Sequence, residues 1–373
     1  MLITRPPMGW NSWNTFGPNI NEDLIKETAD AIVDTGLAAA GYEYVVIDDC
    51  WSLRERGEDG TIVPDPEKFP SGMKALADYV HSKGLKFGMY SCDGPLTCAG
   101  YPASFDHEFI DAKTFADWGV DYLKYDNCYK PGEYEGRILY NRMSMALKAS
   151  GRDIVFSACN WGAENVHQWI RSTGAHLYRS TGDINDSFGS FKNIALSQVP
   201  LQGYNAPGCF NDIDMLITGM YGKGNVAVSG CSDAEYLMHF ALWCYFNSPL
   251  MIGCDVRNMT KATLATLTNP ELIKLNQDAE QRAPFVVYNE NDRCIFLRHL
   301  ENGEYALAFF NFKRYREDME CDFSAFGLHE STGFAFDLTD IMTGEQTKNV
   351  VGKFTPEVKG HSFRIFRGRI HKA

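Results

Sequence analysis

The chain has 373 residues, 45% of them hydrophobic and 22% charged, with a formal net charge of −13. This length and composition fit one large globular domain, or a large and a small one, with a sizeable core. The acidic balance and the lack of any basic cluster argue against nucleic acid and an anionic membrane surface as partners. No apolar run is long enough to predict a membrane span.

The first residues, Met-Leu-Ile-Thr-Arg-Pro-Pro, contain no apolar segment of the kind found in a secretory signal. We therefore expect a cytoplasmic protein whose 11 cysteines are mostly reduced thiols, with secretion left open as an alternative. No Cys-x-x-Cys pair occurs, so a structural zinc site is not expected.

Short apolar, β-branched segments recur through the first three quarters of the chain and predict eight strands. They are residues 8–13, 42–48, 85–91, 120–126, 153–159, 177–183, 210–216 and 250–254. Helical spacing of apolar residues separates most of them, at 21–35, 71–83, 106–118, 135–150 and 233–246. Buried strands that alternate with amphipathic helices predict a parallel sheet covered on both faces. Eight such units fit a (β/α)8 TIM barrel better than an open sheet.

The pattern changes after Pro284, where short strands follow one another without a helix between them. The predicted strands are residues 285–288, 293–299, 305–311, 334–337 and 362–366. We expect a catalytic barrel over residues 1–283 and a small C-terminal antiparallel β-sandwich domain over residues 284–373.

Charged and aromatic residues stand where the predicted barrel strands end, which is the end that carries active sites in this fold. In chain order they are Trp10 and Trp13, Asp48 and Asp49, Tyr90, Lys124 and Asp126, Asn160 and Trp161, Arg179 and Asp183, and Asp212 and Asp214. Carboxylates therefore end four of the eight strands. Such a cluster indicates either a divalent metal site or a glycosidase pair with hydrogen bonds to sugar hydroxyls. No histidine ends a strand, and the aromatic residues favour a sugar.

Each carboxylate also has a plain structural interpretation. Asp126 could cap its strand, and Asp183 could cap a helix. Asp48 and Asp49 could be turn residues, and at most one of them would face inward without a bend in the chain. Lys124 lies two residues before Asp126 and shares its face, so its charge would lower the pKa of that carboxyl.

Five motifs together make the chain recognisable. They are Arg-Pro-Pro-Met-Gly-Trp-Asn-Ser-Trp (5–13), Ile-Asp-Asp-Cys-Trp (47–51), Lys-Tyr-Asp-Asn-Cys (124–128), Arg-Ser-Thr-Gly-Asp-Ile (179–184) and Asn-Asp-Ile-Asp-Met-Leu (211–216). In this order they resemble glycoside hydrolase family 27, the α-galactosidases (melibiases) and α-N-acetylgalactosaminidases. The resemblance covers residues 5 to about 280 and weakens in the β domain.

The resemblance implies a retaining exo-glycosidase that removes terminal α-linked galactose through a covalent glycosyl-enzyme intermediate. Asp126 matches the nucleophile and Asp183 the acid/base, a pair that retention places about 5–5.5 Å apart. The positions that match sugar-binding residues are Trp10, Asp48, Asp49, Tyr90, Cys98, Lys124, Cys128, Asn160, Trp161, Arg179, Asp214 and Met215. The resemblance implies a carbohydrate substrate and neither a metal nor an organic cofactor, and it leaves the oligomeric state open.

Several residues depart from the family pattern. Asn160 and Ala163 stand where the family recognises the substituent on C2, so N-acetylgalactosamine remains the alternative to galactose. A β-L-arabinopyranosidase is a further variant, made less favourable by the intact pair Asp48 and Asp49. A non-catalytic sugar-binding protein is the alternative outside the enzymes.

The cysteines depart from the family as well. Cys98 and Cys128 match a bridged pair, whereas Cys50 and Cys159 lack their usual partners. Cys92 replaces an aspartate.

Overall fold

The computed structural model describes residues 1–373 and contains one sheet of eight parallel strands. The strands are β1 (Met8–Asn11), β2 (Tyr44–Val46), β3 (Lys86–Cys92), β4 (Tyr122–Asp126), β5 (Val155–Cys159), β6 (Leu177–Arg179), β7 (Phe210–Asp212) and β8 (Leu250–Ile252). They follow one another in chain order, and β8 returns to pair with β1. A single bridge from Leu216 to Ile252 links the last two strands. The predicted barrel is confirmed, with most strands shorter at their carboxyl ends than the sequence indicated.

Eight helices of seven residues or more belong to the barrel. They are α1 (Glu22–Asp34), α2 (Gly72–Ser82), α3 (Glu108–Trp118), α4 (Gly136–Ala149), α5 (Phe188–Gln198), α6 (Asp233–Tyr245), α7 (Lys261–Leu267) and α8 (Pro270–Asn276). The five predicted helices lie within two residues of their expected bounds. The other three, α5, α7 and α8, were not predicted, and α7 and α8 are too short for a periodic signal. Only 3₁₀ turns, at Ala163–Gln168 and Ile170–Thr173, connect β5 to β6.

Local sequence explains where the helices begin. The Asn21 side chain accepts a hydrogen bond from the Leu24 N–H, and so caps α1. Ser232 and Glu235 form a capping box at the start of α6, each side chain bonding to the other residue's backbone N–H.

Strand alternation separates the barrel interior from the helix layer. Tyr44 and Val46 of β2 face inward, in one small cluster with Tyr122 of β4. Val45 and Leu123 point outward and join the main core between the sheet and the helices. The inward row of each strand therefore continues, at its carboxyl end, into the mouth of the barrel.

The C-terminal domain contains a six-stranded antiparallel sheet. Its strands are β9 (Phe285–Glu290), β10 (Arg293–His299), β11 (Tyr305–Asn311), β12 (Phe334–Asp340), β13 (Gln346–Val350) and β14 (Ser362–Lys372), in the order β9-β10-β11-β14-β12-β13. Two short antiparallel pairs, residues 317–318 with 357–358 and 321–322 with 353–354, cover one face and complete the predicted sandwich. β13 was not predicted because its residues are mostly polar and exposed.

The other face of this sheet packs against α6 and α8 of the barrel. One core of 72 buried residues runs through both domains. The buried Arg298 of β10 donates hydrogen bonds to the carbonyl oxygens of Tyr245 (2.9 Å) and Leu275 (2.6 Å). The predicted boundary at residues 283/284 lies between α8 and β9 and stays a prediction. No helix has the length and apolar character needed to cross a bilayer.

Candidate active site

A polar cavity opens at the carboxyl end of the barrel. It is lined by Trp13, Asn14, Asp48, Asp49, Tyr90, Cys98, Lys124, Asp126, Trp161, Arg179, Asp183, Ile184, Asp214, Met215 and Val226. A wider cleft at the opposite end contains charged residues already held in surface ion pairs, such as Lys86 with Glu43 (2.9 Å). Only the carboxyl-end cavity therefore brings the predicted carboxylates together.

The carboxylates of Asp48 and Asp49 both line this cavity. β2 ends at Val46, and Cys50 adopts a left-handed backbone with φ of 73°, so the chain bends where the two aspartates stand. The Asp48 Oδ2 atom accepts hydrogen bonds from Asn11 Nδ2 (2.7 Å) and Lys124 Nζ (2.8 Å). Because the chain bends here, both aspartates face the cavity, whereas a straight strand would present only one of them.

Asp126 ends β4 and is 6% exposed. Its Oδ2 accepts a hydrogen bond from the Tyr90 hydroxyl (3.2 Å), and its Oδ1 accepts one from the Asn127 N–H (3.1 Å). Burial raises the pKa of Asp126 to about 6, against the opposing charges of Lys124 and Arg179. The predicted lowering by Lys124 is present but weaker than burial, because the ammonium is bonded directly to Asp48.

Asp183 lies four residues beyond the end of β6, and its side chain is 77% exposed. Its Oδ1 accepts a hydrogen bond from Arg179 Nη2 (2.8 Å). The same nitrogen also lies 2.6 Å from Oδ2 of Asp214, which is buried. Burial raises the pKa of Asp214, and the Arg179 guanidinium opposes that change. Of the five carboxylates that line the cavity, Asp183 is therefore the exposed one, whereas the other four are buried.

Trp10 does not line the cavity, which corrects its prediction as a wall of the sugar site. It pairs in register with Val45 and Ile252, faces the helix layer, and donates its indole N–H to the Cys254 carbonyl oxygen (2.9 Å). Trp13 takes that place, because β1 ends at Asn11 and the chain turns there. The second tryptophan of the Trp-Asn-Ser-Trp motif was the available signal for this wall.

Cys98 and Cys128 form a disulfide with a Cα–Cα distance of 5.1 Å, in agreement with the pairing that the resemblance implied. Cys98 lines the cavity, whereas Cys128 lies behind it. With Asp126 they place three metal-ligand atoms within 4.8 Å of one another, but the bonded sulfurs are not thiolates. Cys50 and Cys159 are buried and unpaired.

Asn160 and Cys92 are buried and do not line the cavity. Asn160 is buried behind the cavity wall, where its Nδ2 bonds the Ala163 carbonyl oxygen (2.9 Å) and its Oδ1 has no partner. Cys92 is buried beside Asp126 and donates to the Cys128 carbonyl oxygen (3.1 Å).

Three lining residues were not among the predicted site residues. They are Asn14, Ile184 and Val226. Asn14 directly follows the first motif and Ile184 is the last residue of the fourth, whereas Val226 comes from a loop that carries no signal of its own.

Comparison with known proteins gives consistent relatives for both domains. Residues 5–278 match the family model described as alpha galactosidase A, and residues 290–367 match the alpha galactosidase C-terminal beta sandwich domain. An alpha-galactosidase of Cyamopsis tetragonoloba is 42% identical over 98% of this chain and 86% of its own length.

Solved structures agree with these matches. Alpha-galactosidase I from Mortierella vinacea has a TM-score of 0.89 and 33% identity over 98% of this chain and 96% of its own. The Saccharomyces cerevisiae alpha-galactosidase solved with raffinose has a TM-score of 0.90 and 29% identity, covering 98% of each chain.

Proposed function

Since the chain belongs to the melibiase family, glycoside hydrolase family 27, and is a retaining α-galactosidase, we propose that Asp126 is its nucleophile and Asp183 its general acid and base. One observation carries these roles. The buried carboxylate of Asp126, at the end of β4, and the exposed carboxylate of Asp183, in the loop after β6, reach the same cavity at positions that the family motifs mark.

The reaction proceeds in two displacements. An Asp126 oxygen attacks the anomeric carbon and forms a glycosyl ester, while the bond to the leaving oxygen breaks and Asp183 gives that oxygen its proton. Asp183 then removes a proton from a water molecule. That water attacks the anomeric carbon, displaces Asp126 and releases α-galactose, so the configuration is retained.

The contacts of Asp126 suit a nucleophile. A pKa of about 6 leaves the carboxylate mostly ionised at neutral pH. The hydroxyl of Tyr90 bonds one oxygen and the Asn127 N–H the other, which fixes the plane of the carboxylate for attack.

Asp48 and Asp49 supply the acceptors that select galactose. We propose that these carboxylates accept hydrogen bonds from the axial 4-OH and the 6-OH of the sugar. The indole of Trp13 packs against one face of the sugar ring. Glucose carries an equatorial 4-OH, so it would leave a buried carboxylate without this donor.

Two single variants test the catalytic roles. Asp126→Ala should reduce hydrolysis of an aryl α-galactoside on the order of 10⁴-fold or more. With added azide it should give β-galactosyl azide, because azide enters the vacated face. Asp183→Ala should give α-galactosyl azide, because azide then attacks the glycosyl-enzyme. If each variant gave the azide expected of the other, the two catalytic roles would be reversed. Activity retained in Asp126→Ala would exclude Asp126 as the nucleophile.

The wild-type protein provides two further checks. Proton NMR should show α-galactose as the first product. Relative kcat/KM values on aryl α-galactoside, N-acetyl-α-galactosaminide and β-L-arabinopyranoside should favour the galactoside. A higher value on either of the other two substrates would contradict the galactose assignment.

A further inference from the structure

Hydrogen bonds hold Asp214 in place two residues beyond the end of β7. Its backbone lies in the left-handed region with φ of 83°, which aspartate and asparagine tolerate better than most residues. The indole N–H of Trp243 donates to its carbonyl oxygen (2.7 Å), and its own N–H donates to Asp212 Oδ1 (2.9 Å). With its backbone fixed at both ends and its side chain 7% exposed, the carboxylate has a defined direction.

Both partners of the Asp214 Oδ2 atom belong to residues 179–184, the segment that carries the proposed acid/base Asp183. The Ile184 N–H, next to Asp183 in the chain, donates to it at 2.7 Å. The Arg179 guanidinium lies 2.6 Å away through Nη2. Arg179 in turn donates to Asp183 Oδ1 at 2.8 Å. Asp214 thus contacts this segment on both sides of the exposed carboxyl.

Asp183 has few contacts of its own. Its side chain is mostly exposed, and Arg179 is its one hydrogen-bonding partner. An exposed carboxyl held by one long side chain is not fixed to the accuracy that proton transfer needs. The fixed backbone contact, from Ile184 N–H to Asp214, supplies that accuracy.

We propose that Asp214 is a positioning residue for the catalytic acid, through Ile184 and Arg179, in addition to any contact with the sugar. This inference rests on the proposed role of Asp183. It assigns Asp214 an effect on proton donation, whereas a residue that only binds sugar affects every galactoside alike.

The test compares two substrates that differ in their need for an acid. Methyl α-galactoside needs a proton on its leaving oxygen, and α-galactosyl fluoride does not. In Asp214→Asn, the loss of kcat/KM should be on the order of 100-fold larger on the methyl glycoside than on the fluoride, within the usual contribution of a general acid. Equal losses on both substrates, or no loss on either, would overturn the proposal.

Two controls separate the possible failures. Asp49→Asn, at a sugar acceptor, should lower kcat/KM equally on both substrates. Asp183→Ala should show the same selective loss as Asp214→Asn. If Asp183→Ala loses activity equally on both, the acid assignment itself fails. If it is selective and Asp214→Asn is not, only the present inference fails.

A second variant tests the proposal if Asp214→Asn does not fold. Activity of Asp214→Asn on the fluoride reports an intact site. If that variant does not fold, Asp214→Glu should show the same asymmetry, because the longer side chain moves the carboxylate away from the Ile184 N–H. Equal losses on both substrates in Asp214→Glu would again overturn the proposal.

Discussion

The proposed nucleophile lies among charges that act on it in opposite directions. Burial raises the pKa of Asp126, while Lys124 and Arg179 lower it and Asp48 raises it. Lys124 is bonded to Asp48 rather than to Asp126, so its charge is partly neutralised before it acts on the nucleophile. The resulting pKa of about 6 places the titration of this carboxyl just below neutral pH.

This arrangement predicts a pH dependence. Hydrolysis needs ionised Asp126, so kcat/KM should fall as pH drops through about 6. In Lys124→Met the carboxylate loses a stabilising cation, its pKa rises, and the acid limb of the profile should move to higher pH. The measurement is kcat/KM on an aryl α-galactoside from pH 4 to 9.

The matched control replaces a lysine far from the site. Lys74→Met removes an exposed lysine of α2 that pairs with Asp78, and should leave the limb unchanged. An acid limb that stays in place in Lys124→Met would show that this lysine does not act on the titrating group.

At the scale of elements, a disulfide joins the loops that follow β3 and β4. It links Cys98 to Cys128, 30 positions apart, and the Tyr90 hydroxyl lies 3.3 Å from the Cys98 sulfur. The bridge therefore holds the cavity wall against the strand that carries Asp126.

Removal of this bridge should destabilise the protein. A closed loop of this size contributes roughly 3 kcal/mol to the free energy of unfolding, so Cys98→Ser with Cys128→Ser should lower it by about 2–4 kcal/mol in urea titrations. Cys231→Ser, at a partly exposed free cysteine, is the control. Thiol titration of unfolded wild type should give nine free thiols, and 11 after reduction. A count of 11 before reduction would contradict the bridge.

At the scale of the whole molecule, the two domains share one core and a buried cation. Burial lowers the pKa of Arg298 to about 10, and no carboxylate bonds to it. Its guanidinium instead bonds carbonyl oxygens at the ends of α6 and α8, where helix dipoles favour a positive charge. Arg298 thus joins the C-terminal domain to two barrel helices, in addition to the apolar core that the domains share.

Arg298→Met should therefore lower the free energy of unfolding of both domains together. It leaves buried carbonyl oxygens without donors, at about 1–3 kcal/mol each, so we expect a loss of about 3 kcal/mol in the free energy of unfolding. Fluorescence and circular dichroism should still report one coincident transition. Arg369→Met, at an exposed ion pair with Glu304, should change stability by less than about 1 kcal/mol. Separate transitions for the two domains would contradict the shared core.

Local patterns in the sequence predicted the fold class and much of the site. The apolar period of strands and helices is set by neighbouring residues, so the eight barrel strands and five helices could be located. The motifs that contain Asp126 and Asp183 were local as well. The helices α5, α7 and α8 and the polar strand β13 were missed, because packing rather than their own periodicity stabilises them.

The sequence by itself determined that the chain is a barrel with carboxylates at one mouth, followed by a β domain. Only the tertiary structure decided which side chains face the cavity. Trp13 rather than Trp10 lines it, because strand alternation and a turn after Asn11 set each direction. Lys124 bonds Asp48, and Asp214 reaches Ile184, across distances in the chain that no local pattern encodes. Such contacts depend on how strands are placed side by side, which is a property of the whole fold.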